Sequence, residues 1–164
     1  MPLHFETDYP LLVEQTKAFA EGEPNWLPLL ANVSALLFES LTALNWAGFY
    51  LTDTKNPDDL ILGPFQGKTA CIRIPKGRGV CGTALAADEI QLVPNVHEFP
   101  GHIACDSASN SEIVLPIHFQ GKCVGVLDID SPLLDRFDLQ DKEGLAAVVK
   151  VIEEYGDFSE RMGE

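Results

Sequence analysis

With 164 residues, 46% of them hydrophobic, the chain is long enough to bury a core as one domain without disulfides or metal. Its formal charge of −14 argues against nucleic acid and anionic lipid as partners, because phosphates require Lys and Arg to neutralise them. No run reaches the ~18 apolar residues of a membrane span. The N-terminus, Met1-Pro2-Leu3-His4-Phe5-Glu6, has neither the basic nor the apolar stretch of a signal peptide. A cytoplasmic protein is expected. Its cysteines, at 71, 81, 105 and 123, form no CxxC motif and are expected as free thiols.

Two helices open the chain. Thr7 or Asp8 caps the first, with Pro10 in its first turn, where a missing N–H is harmless. Leu12, Val13, Phe19 and Ala20 recur at helical spacing until Gly22 and Pro24 stop it. Asn25 caps the second, which has Pro28 in its first turn and an apolar stripe of Leu29, Leu30, Val33, Leu36, Leu37 and Leu41. The period then changes to two. Strands are predicted over Trp46–Thr52, Leu60–Phe65 and Ala70–Ile74, with a turn at Asn56-Pro57-Asp58-Asp59. Lys76-Gly77-Arg78-Gly79 matches neither GxxxxGK[ST] nor GxGxxG, so it reads as a plain turn rather than a phosphate cradle.

A short helix from about Val80 to Ala87 and a short strand over Ile90–Val93 follow. Asn95 to Asn110 is a polar loop without periodicity, and loops beyond ~12–15 residues in compact domains are usually functional or disordered. Glu112–Phe119 and Lys122–Ile129 read as a hairpin, and a last amphipathic helix runs from Leu139 to about Tyr155 after a cap at Asp138. The expected fold is α+β: a central, mainly antiparallel sheet of about six strands over about 46–130. Helices at about 8–44 and about 138–156 should pack mainly on one face, leaving a loop-covered pocket on the other.

Three carboxylates, Glu112, Asp128 and Asp130, bear on that pocket. A two-residue Gln120-Gly121 turn would place Glu112 on the opposite face to the two aspartates. A three-residue loop, Phe119-Gln120-Gly121, ending in a left-handed Gly and a bulge, would pair His118 with Lys122 and Glu112 with Asp128. The bulged hairpin is favoured because it gathers all three acids. The series Val124-Val126-Asp128-Asp130 then changes one strand face from apolar to acidic, as in the floor of a pocket. Like charges so placed raise one another's pKa, so one acid can stay protonated while the others hold an ammonium group. Trp46 and Tyr50 share a face of the first strand, as pocket wall or as core aromatics.

Among the thiols, Cys123 is expected as a small core hydrophobe. Cys105, in the long polar loop, is best placed to attack an electrophilic centre. Cys71 or Cys81 could then resolve the sulfenic acid as a disulfide. His97, His102 and Cys105 suggest a zinc alternative, but no spacing matches paired-ligand motifs, and no metal is expected.

Asn45-Trp46-Ala47-Gly48-Phe49-Tyr50, Gly77-Arg78-Gly79-Val80-Cys81-Gly82, His102-Ile103-Ala104-Cys105-Asp106, Ser111-Glu112-Ile113-Val114 and Leu127-Asp128-Ile129-Asp130-Ser131 resemble the free methionine-(R)-sulfoxide reductase family. These are GAF-domain enzymes acting on the free amino acid, and the resemblance runs from about Tyr9 to Tyr155. It implies a GAF-like fold, with Cys105 as nucleophile, Cys71 as main resolving thiol in a Cys71–Cys105 redox-active disulfide, and Cys81 as an additional cysteine able to join disulfide exchange. It also implies that Glu112, Asp128 and Asp130 bind and polarise the substrate, while Trp46 and Tyr50 hold its methyl group. Backbone N–H groups between Ile103, Ala104 and Cys105 would take the substrate carboxylate. Glu112 and Asp130 are both left as the proton donor. The resemblance implies thioredoxin as electron donor and no cofactor, and a homodimer is expected because GAF relatives often pair. A non-catalytic GAF module, binding a small ligand or sensing redox state, is the alternative.

Overall fold

The computed structural model describes residues 5–102 and 108–162. In chain order the elements are α1 (Tyr9–Gly22), α2 (Trp26–Ser40), β1 (Trp46–Thr52), β2 (Asp59–Gly67), β3 (Arg73–Pro75) and α3 (Gly79–Ala87), then β4 (Gln91–Val93), β5 (Ser111–Phe119), β6 (Lys122–Ser131) and α4 (Leu139–Tyr155). Asp8 and Asn25 accept the N–H groups of Leu11 and Leu27, each at 3.0 Å. They thereby satisfy donors that the first helical turns leave orphaned. Asp138 and Asp141 form a capping box at α4. The same Asp141 accepts from Tyr9 Oη at 2.7 Å and from Arg136 at 3.2 Å, tying α1 to α4 through a buried polar node. No described helix is long and apolar enough to cross a membrane.

Among the described residues the sheet has the order β3-β2-β1-β6-β5-β4, with every pair antiparallel. Alternation gives its faces different tasks. Ala47, Phe49 and Leu51, Ile113, Leu115 and Ile117, and Leu127 and Ile129 bury one face together with apolar residues of α1, α2 and α4. Trp46, Tyr50, Val114 and Val126 lie on the other, packed with Val80, Ala84 and Leu85 of α3. That short helix is apolar nearly all round, as a helix enclosed by its surroundings must be. The α+β expectation, with helices mainly on one side, is met.

The hairpin departs from its predicted register in an instructive way. Phe119 pairs with Lys122, so the turn is the two-residue Gln120-Gly121, with φ of 52° and 78° at the two positions. A bulge then falls between Ile117 and His118: His118 pairs with Cys123 but Ile117 with Gly125, leaving Val124 over. Beyond it Glu112 pairs with Asp130 and Val114 with Asp128. The three acids do share a face, but through an internal bulge rather than a three-residue loop, and Glu112 opposes Asp130 rather than Asp128. Val124 does not share that face. It joins the helix-side core, while Cys123 lies half-buried against the opposite cluster.

The strand predicted over Ala70–Ile74 is also shorter than expected. Only Arg73–Pro75 forms β3, although Leu62 N–H still donates to Ile72 O at 2.9 Å. The segment before it is held by side chains instead: Trp46 Nε1 donates to Lys68 O at 3.1 Å and Tyr50 Oη to Cys71 O at 2.9 Å. The 95–110 loop opens with a single 3-10 turn, Val96–Glu98. Asn110 draws its two ends together, accepting from Val96 N–H at 2.9 Å and donating from its own backbone to Ser131 O at 2.8 Å.

Candidate active site

On the face opposite the three long helices, a cavity of about 510 Å³, part of it open to solvent, is enclosed by sheet, α3 and loops. The floor is built by register. Trp46 pairs with Asp130, Gly48 with Asp128 and Glu112 with Asp130, so residues of β1, β5 and β6 project side by side.

The acids are deeply placed. Glu112, Asp128 and Asp130 are 7%, 6% and 8% exposed, so water screens them little. Burial, reinforced by the charges of Asp128 and Asp130, pushes the Glu112 carboxyl well above its ordinary range. Burial raises Asp128 too, while hydrogen bonds from Glu112, Cys81 and Asp130 hold it back. The cluster therefore holds a proton more tightly than separate carboxyls would, and Glu112 is the acid most strongly favoured to carry it. Asp128 Oδ1 is buried without a hydrogen-bond partner among the described residues, an acceptor awaiting a donor from within the cavity.

Cys81 forms part of the wall. Its sulfur, a Glu112 oxygen and an Asp128 oxygen all lie within 4.8 Å of one another. Burial and the three neighbouring acids push this thiol well above its usual pKa, so it stays protonated and donates to Asp128. The group is compact enough to share a small cation, and an ammonium ion suits it because the thiol keeps its proton.

The aromatic side is stacked. Trp46 lies 5.8 Å from the Tyr50 ring at 23°, and 5.1 Å from Phe65 at 15°. Burial and the nearby acids push the Tyr50 phenol upward, keeping it a donor to Cys71 O. Gly48 makes this stack possible: a Cβ there would fall 2.2 Å from Phe65 Cβ. Gly48→Ala is therefore expected to cost about 1–3 kcal/mol by overpacking and to disturb the Trp46 wall. Denaturant unfolding and tryptophan fluorescence check this; an unchanged midpoint and spectrum would contradict it.

The structure thus brings Trp46, Tyr50, Cys81, Glu112, Asp128 and Asp130 around one cavity. Cys71 stands at its edge, anchored by Tyr50. Cys81 and Cys123 are free thiols as expected, whereas Cys71 is disulfide-bonded. Ile103, Ala104 and Cys105 lie outside the described residues. For the zinc alternative, the His97 and His102 rings meet nearly edge to face at 6.2 Å, and His97 Nε2 is engaged by Asn110 Oδ1 at 2.8 Å.

Sequence reading missed Arg78, His102 and Ser109 as members of the wall. Arg78 was hidden inside what looked like a plain turn. Its signal was the Gly on either side, which allows the chain to bend sharply into α3: Gly77 and Gly79 have φ of 85° and 64°.

Comparison with known proteins agrees with this architecture. The family described as GAF domain matches residues 6–154. Free methionine-R-sulfoxide reductase of Escherichia coli (strain K12) is 54% identical over 145 residues, covering 88% of this chain and 86% of that protein. The structure of fRMsr of Staphylococcus aureus in complex with substrate is 50% identical, with a TM-score of 0.86 over 94% of this chain and 99% of that one. Free methionine-R-sulfoxide reductase from Neisseria meningitidis, also in complex with its substrate, is 43% identical with a TM-score of 0.86, covering 94% of each chain. Identity this high over nearly the full length, on a superimposable fold, leaves one assignment: the chain belongs to the free methionine-R-sulfoxide reductase family of GAF-domain proteins.

Proposed function

We propose that the protein reduces free L-methionine (R)-S-oxide to L-methionine, with electrons from thioredoxin. The observation that carries this reading is the buried acid cluster, in which one acceptor, Asp128 Oδ1, has no partner among the described residues and one acid, Glu112, has its carboxyl pushed well above the ordinary range. A free amino acid sulfoxide has a matching pair of groups. Its ammonium satisfies the ionised aspartates, and its S=O oxygen takes a hydrogen bond from a neutral carboxylic acid. Its carboxylate finds positive potential across the cavity, where Arg78 and the first turn of α3 at Gly79 and Val80 form the wall. Backbone N–H groups of Ile103 to Cys105 complete that subsite in this reading.

The Cys105 thiolate attacks the sulfoxide sulfur while Glu112 protonates the oxygen, a contribution of ~10²–10⁴ in rate. The oxygen passes to Cys105, methionine leaves, and the thiol becomes a sulfenic acid. Cys71 displaces water from it, closing the Cys71–Cys105 disulfide, which the thioredoxin dithiol reduces. The disulfide-bonded state of Cys71 beside the cavity supports this pairing of roles. Cys81, buried and neutral, is a poor first nucleophile. Trp46 and Tyr50 take the methyl group, so that methyl, oxygen and lone pair of one epimer find distinct places. The reading includes a cytoplasmic homodimer without bound cofactor.

NADPH oxidation coupled through thioredoxin and its reductase tests it, with the R and S epimers supplied separately. Turnover with R alone is expected. Turnover with both would remove the stereochemical argument, and turnover with neither, from folded and reduced protein, would leave a binding or sensing GAF module.

A further inference from the structure

A second cluster lies at the end of the hairpin, where α3 ends and α4 passes. We propose that Asp88, His118 and Cys123 form a binding site for a divalent transition cation of the zinc class, with Glu153 as the positioning residue that orients His118. One ligand atom from each of the three lies within 4.8 Å of the others, and they supply oxygen, nitrogen and sulfur, the donor set that borderline-soft cations take.

The tight turn sets this up: with Phe119 paired to Lys122, Cys123 pairs with His118 and faces the same way, and the left-over Val124 keeps that pair on the same face as the acids. Asp88 is delivered by the end of α3, where it adopts a left-handed conformation with φ of 53°. Its carboxylate reaches His118 Nε2 at 2.5 Å.

The imidazole is held from behind. Glu153 Oε2 accepts from the His118 backbone N–H at 2.7 Å and meets its Nδ1 at 2.9 Å. A carboxylate on one ring nitrogen, with the other aimed at the ion, is the arrangement that fixes metal-ligating histidines. Asp88 and His118 are part-exposed, so an ion can enter and solvent can fill a fourth position. Ligation needs a small widening of the Asp88–His118 contact, with loss to solvent of two protons, that of the Cys123 thiol and the one His118 Nε2 holds against Asp88.

Cobalt(II) titration of the fully reduced chain tests the proposal, because cobalt bound to thiolate gives a charge-transfer absorption. One equivalent is expected to produce the band, and zinc(II) is expected to displace it. Cys123→Ser should remove the band, and Glu153→Gln should weaken cobalt binding by about 10–100-fold. Circular dichroism establishes that each variant is folded, and the surface variant Asp88→Asn should weaken binding independently of any defect at Cys123. No band in the reduced protein would overturn the proposal. So would a band that survives Cys123→Ser, since it would place the metal on the cavity's thiols, and so would unchanged affinity in both Glu153→Gln and Asp88→Asn.

Discussion

Cys105→Ser is expected to abolish turnover of the (R)-sulfoxide, by on the order of 10³-fold or more, as for other nucleophiles acting within a concerted set. A serine hydroxyl is far less ionised than a thiol near neutrality, and a sulfenic acid has no counterpart on oxygen. Cys71→Ser should behave differently. Attack and methionine release remain possible, so one equivalent of methionine should form per protein, followed by slow recycling by thioredoxin. A rapid-quench measurement of methionine separates the two variants. Steady-state activity retained in Cys105→Ser would reverse the roles proposed here, and a missing first turnover in Cys71→Ser would place Cys71 in the attack itself.

Glu112→Gln is expected to slow the reaction by about 10²–10⁴ while making the protein more stable. The sign follows from the raised carboxyl. An unfolded Glu ionises near pH ~4.3, whereas the buried one keeps its proton well above that. Its contribution to stability is complete below the unfolded value and is lost as pH rises through the folded one. Gln never ionises, so the variant should lack this decline and gain about 1–2 kcal/mol near pH 8, the usual exchange of activity for stability. Urea unfolding at pH 5 and pH 8 checks the first part and kcat the second. Asp128→Asn should act mainly through KM, because its orphaned oxygen is proposed to meet the substrate ammonium. Equal, small losses in both variants would mean that the acids only shape the surface.

Much of the fold was legible because periodicity is loud where a face is buried. Trp46–Thr52 and Leu139–Tyr155 coincide with β1 and α4; β1 is an apolar run buried on both faces, and α4 turns one face into the core. Where tertiary hydrogen bonds replace the ladder, the pattern misled. Ala70 to Ile72 read as strand from their apolar run, but beyond the one bond from Leu62 N–H to Ile72 O the segment is held by the Trp46 and Tyr50 donors rather than by a ladder. The hairpin register failed for a different reason. Two-residue turns of this kind favour Asn-Gly or Asp-Gly, and Gln120 gives no such signal despite its left-handed φ. Lys122-Cys123-Val124-Gly125-Val126 also alternates acceptably in either register. The acids were gathered correctly because the requirement that they share a pocket is stronger than the local pattern that misassigned how.

A strand counts its residues in twos, so the bulge gives the hairpin an uneven tolerance of length change. Val124 is the supernumerary residue between the His118–Cys123 and Ile117–Gly125 pairs. An evolutionary deletion there would shorten the chain and leave every other side chain of β6 facing as it does now, at the cost of one core valine. The same deletion at Leu127 would rotate Asp128 and Asp130 toward the helices relative to the hairpin tip. Indels in this ten-residue strand are therefore either nearly silent or ruinous to the acid face, and a single position divides the two outcomes.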